Sequence, residues 1–286
     1  MIKVTKDILK DVYKPRPAEA HKYDYGLLLV IGGSEFYSGS PALNALAAFR
    51  AGVDMVQIIA PWRAANIIAA FSPNLAAYPL TGSWLTKKDV PLLVSMLKSA
   101  QAVARGRAAV VIGGGLGRSE ETQEAVLEFL AQVSLPIVID ADAIYAASRN
   151  PKIFKGKNFL FTPHSYEFFV LTGKNVLSRE EEKIKQVQKE ASLLQTTILL
   201  KGKTDIISDG KEVALNTTGS PYLTVGGTGD TLAGICGALM ARGISPFIAA
   251  QAGAFINGKA GEIAALSKTE GTLATDLIEA IPEVIK

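Results

Sequence analysis

Asp230 closes a glycine-rich run, Val225-Gly226-Gly227-Thr228-Gly229, and an apolar helical pattern begins directly after it. Leu232, Ile235, Leu239 and Met240 recur at helical spacing, with small residues between them. The turn therefore opens a helix whose first N–H groups have no intrahelical partner. Those donors and the positive end of the helix dipole together make an anion site. Asp230 at that place has two readings: a helix cap, or a base held beside a bound phosphate. As a base, with an ordinary carboxylate pKa near ~3.9, it is ionised at pH 7 and takes a proton from a hydroxyl as that oxygen attacks phosphorus. The N–H groups of Gly227 to Gly229 then hold charge on the transferred group.

Other chemistries find little support. No G-x-x-x-x-G-K-[ST] occurs, and Gly113-Gly114-Gly115-Leu116-Gly117 misses the dinucleotide register because Arg118 takes the sixth place. His21 and His164 are the only histidines, so no zinc cluster forms. A nucleophile elbow, G-x-S-x-G, is missing. The one cysteine, Cys236, falls in the apolar helix and reads as a small buried side chain.

The elements that must position these residues alternate along the chain. Apolar runs at Leu27–Ile31, Met55–Ala60, Leu75–Leu80, Ala108–Ile112, Ile137–Ile139, Phe159–Phe161 and Ile198–Leu200 read as strands buried on both faces. Ile206–Ser208 and Val213–Leu215 flank Asp209-Gly210 as a hairpin. Helical patterns cover 5–12, 40–52, 63–71, 87–100, 120–131, 166–171, 179–194, 228–242, 246–265 and 275–284. A doubly wound α/β fold with a mostly parallel sheet is expected, as one domain over 1–286. Four strands end in polar or glycine-rich groups: Gly32-Gly33-Ser34, Gly113 to Gly117, Asp140-Ala141-Asp142 and Thr162-Pro163-His164. Parallel strands bring such ends to one edge, where open α/β folds bind ligands. Asp142 reads as a cap of the following helix, His164 as either a structural or a ligand-facing histidine, and Phe168 and Phe169 as core.

Nearly half the 286 residues are hydrophobic, and the net charge of +3 is spread without a basic run. Nucleic-acid binding is not suggested. Met1 to Lys14 does not resemble a signal peptide, and no apolar run reaches the ~20 residues of a membrane span. A cytoplasmic protein without membrane attachment is expected.

The run Gly226-Gly227-Thr228-Gly229-Asp230-Thr231 resembles the signature of the ribokinase-like superfamily. Within it the chain is similar to the ADP- or ATP-dependent NAD(P)H-hydrate dehydratases. His21-Lys22-Tyr23-Asp24-Tyr25-Gly26 resembles their H-K-G-x-Y-G, and Ser38-Gly39-Ser40-Pro41 their S-G-A-P. Gly113 to Gly117 is similar to G-P-G-L-G, Asp140 to Ala143 to D-A-D-A, and Leu200-Lys201-Gly202 to L-K-G. His164 stands where vitamin kinases of the superfamily usually carry Asn and the dehydratases carry His.

The resemblance implies a ribokinase-like fold with helices on both faces of the sheet and no lid domain. It implies that ADP or ATP phosphorylates the hydroxyl of the hydrated nicotinamide ring of NADHX or NADPHX (S epimer), and that loss of phosphate regenerates NADH or NADPH. Asp230 would be the base, with Gly229 holding the phosphoryl group. Ser40, Gly115, Gly117, His164 and Asp230 would contact the dinucleotide. Lys201, Gly202, Lys203, Thr204, Asp205, Gly226, Gly227, Thr228 and Gly229 would line the adenine nucleotide. Glu167 would support Mg2+ through water. A homo-oligomer and a separate epimerase complete the implied partners. The sequence departs from the family pattern at Ser40 (usually Ala), Tyr23, Gly114, Tyr166 and Lys203-Thr204-Asp205, the last placing a carboxylate near a phosphate or ribose. The alternatives are a kinase for a small alcohol, which His164 argues against, and a non-catalytic nucleotide binder, which the intact Gly-Asp turn argues against.

Overall fold

Leu27–Ile31 is apolar at every position because it lies in the middle of a sheet covered on both sides. In this computed structural model, which describes residues 1–286, the elements run β1 (Ile2–Lys3), α1 (Ile8–Val12), β2 (Leu27–Ile31), α2 (Gly39–Arg50), β3 (Met55–Pro61), α3 (Trp62–Phe71), β4 (Ala76–Leu80) and α4 (Val90–Val103). Then follow β5 (Ala108–Ile112), α5 (Glu120–Gln132), β6 (Ile137–Ile139), α6 (Asp142–Ser148), β7 (Phe159–Phe161), α7 (Ser165–Thr172), α8 (Glu180–Leu194) and β8 (Thr197–Leu200). The chain ends with β9 (Asp205–Ser208), β10 (Val213–Asn216), α9 (Thr228–Ala241), α10 (Pro246–Lys268) and α11 (Ala274–Val284).

All ten strands form one sheet in the order β1-β10-β9-β8-β7-β6-β5-β2-β3-β4. Every pair from β4 through to β8 is parallel, and β9 is antiparallel to both neighbours. Successive residues point to opposite faces, so each strand feeds two cores. Leu28 and Val30 join α2, α9, α10 and α11 on one face, while Leu27, Leu29 and Ile31 join α4 to α8 on the other. The helices thus cover both faces, and no second sheet forms a lid.

The strand order reverses between β2 and β5. The chain runs outward from β2 to β3 and β4, then returns to β5 and continues the other way. A crevice opens at such a switch point, beyond the carboxyl ends of the strands. Gly32-Gly33 leaves β2 there and Gly113-Gly114 leaves β5, and Gly33 N–H donates to Gly114 O at 2.9 Å.

Two regions differ from the sequence reading. The helix expected from Thr5 begins only at Ile8, after Ile2 and Lys3 pair with Ala214 and Leu215 in a short edge strand. The helix expected from Lys87 begins as a tight turn, Lys87–Asp89, held by a reciprocal Thr86–Asp89 cap. At the hairpin, Asp209 Oδ1 accepts from Lys211 and Glu212 N–H, which shapes the β9–β10 connection.

Candidate active site

Gly227 caps α9 with φ +100, a backbone conformation strained for any residue with a Cβ. The turn before it is held from inside. Thr228 Oγ1 lies 2.9 Å from Leu223 O and 3.1 Å from Val225 O, so this hydroxyl braces the loop rather than facing a ligand. Thr231 Oγ1 is 2.7 Å from Asn257 Oδ1 on α10, and Asn257 Nδ2 donates to Thr228 O at 3.3 Å. The N–H groups of Gly227, Thr228, Gly229 and Asp230 meet no protein acceptor; the first bonded donor is Thr231, to Gly227 O at 3.0 Å. Four donors at the start of the helix are therefore left without a protein partner.

Asp230 sits in the first turn of α9 and does not cap it. Ser40 Oγ, at the start of α2, donates to Asp230 Oδ1. Asn44, one turn along α2, donates to Ser40 O at 2.9 Å, and its own Oδ1 is buried without a partner. Gly114 packs directly on this pair; a Cβ there would overlap Ser40 Oγ and lie 2.9 Å from Asp230 Oδ1. Burial pushes the Asp230 carboxyl up to about 6, Asp140 adds to the rise, and Ser40, Lys201 and Asn44 oppose it. The ordinary carboxylate pKa expected from the sequence is thus corrected, because three elements close around this side chain.

Lys201, at the end of β8, points along the sheet edge toward this turn. Its ammonium lies 3.1 Å from Asp140 Oδ1 and 3.7 Å from Glu167 Oε2, and 3.4 Å from where a Cβ on Gly229 would stand. Thr162 Oγ1 donates to the same Asp140 oxygen at 2.7 Å. Burial alone would push the ammonium down; Asp140 and Glu167 more than offset it, so the Lys201 pKa is raised and the group stays charged. Glu167 is pushed up by its own burial against the pull of Lys201.

His164 has the structural role, as the cap of the helix that follows it. Its Nδ1 accepts from Tyr166 N–H at 3.1 Å and Glu167 N–H at 3.2 Å, capping α7, while Glu167 returns a bond to His164 N–H at 2.9 Å. Nδ1 is therefore the accepting nitrogen, and Nε2 lies 3.4 Å from Glu167 Oε1 on a side chain that is 53% exposed. Phe168 is core as expected, but Phe169 is exposed beside Tyr166.

Two carboxylates have other duties than those expected. Asp142 does not cap α6; it accepts from Gly117 N–H at 2.9 Å and Arg118 Nε at 2.7 Å, and so fixes the glycine loop after β5. Asp205 is engaged within its own loop and strand: Gly202 N–H and Asn216 Nδ2, each at 3.0 Å, take its two oxygens, and burial pushes its pKa up. It closes the Lys201–Asp205 loop, leaving Gly202, Lys203 and Gly226 exposed. Gly115 and Gly117 lie beyond Gly114, against the rings of Tyr37 and Trp84. His21 and its neighbours precede β2, at the opposite edge of the sheet, where His21 N–H donates to Asp24.

Residues 28–283 match the family model described as NAD(P)H-hydrate dehydratase. The chain belongs to the NAD(P)H-hydrate dehydratase family. The bifunctional NAD(P)H-hydrate repair enzyme Nnr of Pyrobaculum aerophilum is 44% identical over 95% of this chain and 52% of its own length. The ADP-dependent (S)-NAD(P)H-hydrate dehydratase of Cenarchaeum symbiosum is 36% identical over 99% of this chain and 96% of its own. The solved structure of a Bacillus subtilis ADP/ATP-dependent NAD(P)H-hydrate dehydratase, co-crystallised with ATP/Mg2+, aligns over 99% of this chain and 97% of its own at TM-score 0.82 and 28% identity. The chain spans about half the length of several curated relatives it matches.

In this dehydratase-family chain, Ser40 supplies a donor to the candidate base. Asn44, Thr231 and Asn257 also hold that base and its helix, and the sequence reading gave none of them a role of its own. Asn44 lies one helical turn from Ser40, and that spacing is the one signal that could have drawn attention to it.

Proposed function

We propose that this chain dehydrates the hydrated nicotinamide ring of NADHX and NADPHX (S epimer), using ADP or ATP, and so returns NADH or NADPH to use. The carrying observation is the meeting of Asp230 with four free N–H donors and the Lys201 ammonium at the switch point. A deprotonated Asp230 accepts the proton of the ring hydroxyl while its oxygen forms a bond to phosphorus and the bond from phosphorus to the nucleotide breaks. The N–H groups of Gly227 to Asp230, with Lys201, carry the charge on the transferred group. The ring carbon–oxygen bond then breaks with phosphate as the leaving group, and the neighbouring ring carbon gives up a proton to solvent as the carbon–carbon double bond of the dihydronicotinamide forms.

In this reading the adenine nucleotide lies over Lys201 to Asp205, with Gly202, Lys203 and Thr204 toward it and Asp205 acting from beneath. Ser40, Gly115, Gly117 and His164 Nε2–H face the dinucleotide. Gly226 to Gly229 close over the phosphates. Asp140 and Glu167 are hard oxygen donors of the kind Mg2+ takes, but no three acidic or histidine residues gather to hold a metal. The donor set therefore fits Mg2+ bound mainly by phosphate oxygens and water, with Glu167 and Asp140 in contact through water. When bound, Mg2+ neutralises phosphate charge.

The same reading has residues 1–286 working as one unit and forming a homo-oligomer, a separate epimerase supplying the S form, and action in the cytoplasm. No helix is long and apolar enough to cross a membrane. Incubation with hydrated NADH and either ADP or ATP, followed by absorbance, tests the activity. Recovery of NADH is expected; no recovery with either nucleotide overturns it, and phosphorylation of a small alcohol instead would point to a kinase.

A further inference from the structure

Three aromatic rings stand on the side of the site away from Lys201. Phe36 and Tyr37 lie on the loop after β2, and Trp84 on the loop after β4. The two loops are joined, since Glu35 N–H donates to Ser83 O at 2.9 Å and Arg63 Nη1 holds Glu35 O at 2.7 Å. Phe36 meets Trp84 edge to face, with ring centroids 5.5 Å apart, yet Phe36 is 82% exposed. A phenylalanine held in position but left in water calls for a ligand more than a lone exposed apolar residue does.

The glycine loop after β5 connects this pair to the chemistry. Gly114 packs on Ser40 and Asp230, Gly115 on Tyr37, and Gly117 on Trp84. Gly114 and Gly117 are three residues apart, so the two glycines that touch the candidate base and Trp84 stand no more than about 11 Å from each other along the loop. The wall extends the site toward β3 and β4, while Lys201 to Asp205 extends it toward β9.

We propose that Phe36 and Trp84 seat the adenine ring of the dinucleotide substrate, and that this contact sets the preference for a dinucleotide over a mononucleotide. The inference rests on the dehydratase reading above. Hydration removes the flat conjugation of the nicotinamide ring, so adenine is the one ring of the substrate with two π faces. Stacking of a base on an aromatic side chain is sequence-tolerant and strong enough to govern KM. The second adenine, that of ADP or ATP, belongs on the Lys201 side.

The test has a kinetic and an optical arm. Phe36→Ala is expected to raise KM for hydrated NADH about tenfold, with kcat, the KM for ATP and the KM for hydrated nicotinamide mononucleotide unchanged. Phe36→Tyr should restore the low KM. Trp62 and Trp84 are the only tryptophans, so Trp62→Phe leaves Trp84 as the sole reporter. With ADP saturating the nucleotide site, ADP-ribose, which carries adenine but no nicotinamide, should quench this fluorescence saturably, and Phe36→Ala should weaken that binding. An unchanged KM, an equal change for the mononucleotide, or no quenching overturns the proposal while leaving the dehydratase activity standing. Loss of an oligomer in Phe36→Ala with KM unchanged also overturns it and assigns the wall to a second copy of the chain. If the wild type recovers no NADH, the dehydratase reading falls, and the quenching arm alone decides whether the wall takes adenine.

Discussion

A base that removes a proton from an alcohol works best when its pKa lies near the operating pH, and Asp230 is lifted toward that range by the packing of α2 and Gly114 around it. Only the deprotonated form is a base, so kcat/KM should rise with pH through about 6. Ser40→Ala removes the bond that opposes the lift, and the acid limb of the pH profile should move to higher pH; an unmoved limb would assign it to another group. Asp230→Asn should lower turnover by about 10²–10⁴-fold while nucleotide binding, measured by calorimetry, stays nearly intact. The same substitution should stabilise the protein. The folded state binds this proton more tightly than the unfolded chain, so stability falls as pH rises from about 4 to about 6 and the loss persists above that. At pH 7 the asparagine variant should therefore gain up to about 3 kcal/mol in denaturant unfolding. Asp230 was legible in the sequence because a glycine turn and a helical pattern meet there. Its pKa was not, since Ser40 lies 190 positions away and no local pattern reports that contact. Asp142 shows the same limit: a carboxylate before a helix reads as a cap, and its partners at Gly117 and Arg118 come from another loop.

At the scale of elements, α7 and α9 carry the site by different means. α7 is started by a side chain, the His164 ring, so the group proposed to meet substrate also holds its own helix. His164→Ala should cost about 1 kcal/mol of stability as well as activity. His164→Asn restores a good cap, and unfolding should then match the wild type while kcat/KM for hydrated NADH remains low. Equal rescue of both would make the histidine structural only. α9 is started by backbone and close packing instead. Gly234 lies against the Asn44 backbone on α2, at a distance that admits no side chain. Gly234→Ala must separate the two helices that hold Asp230 and Ser40, and should lower stability by about 1–3 kcal/mol together with turnover. The small-residue pattern between the apolar positions of α9 announced a buried helix. Which helix it would meet was decided by the crossover order of the sheet, and that is absent from local spacing.

Across the whole molecule, the strand order brings the ends of β2, β5, β6, β7 and β8 to one edge of the sheet, beside the start of α9. The sheet itself was legible because strands buried on both faces are apolar without interruption, and their polar endings marked the working edge. The two-residue β1 left no such trace, and Phe36 and Trp84, 48 positions apart, meet only because β2, β3 and β4 lie side by side. A ligand that binds only the folded crevice should raise the melting temperature; ADP or ATP at 100 times its Kd adds about 2.7 kcal/mol.

The burial of α9 has a consequence for heat. Eleven of its residues, Thr231 to Ala241, are in the core between the sheet and the neighbouring helices. The proposed catalytic carboxylate is thus anchored on a helix buried in the core, which is expected to open only with global unfolding, and not on a peripheral loop that loosens first. Warming should not bring a window in which the enzyme is folded but idle. Inactivation and loss of the circular-dichroism signal should fall on one curve, and a mutant that resists heat should keep its activity to the same higher temperature.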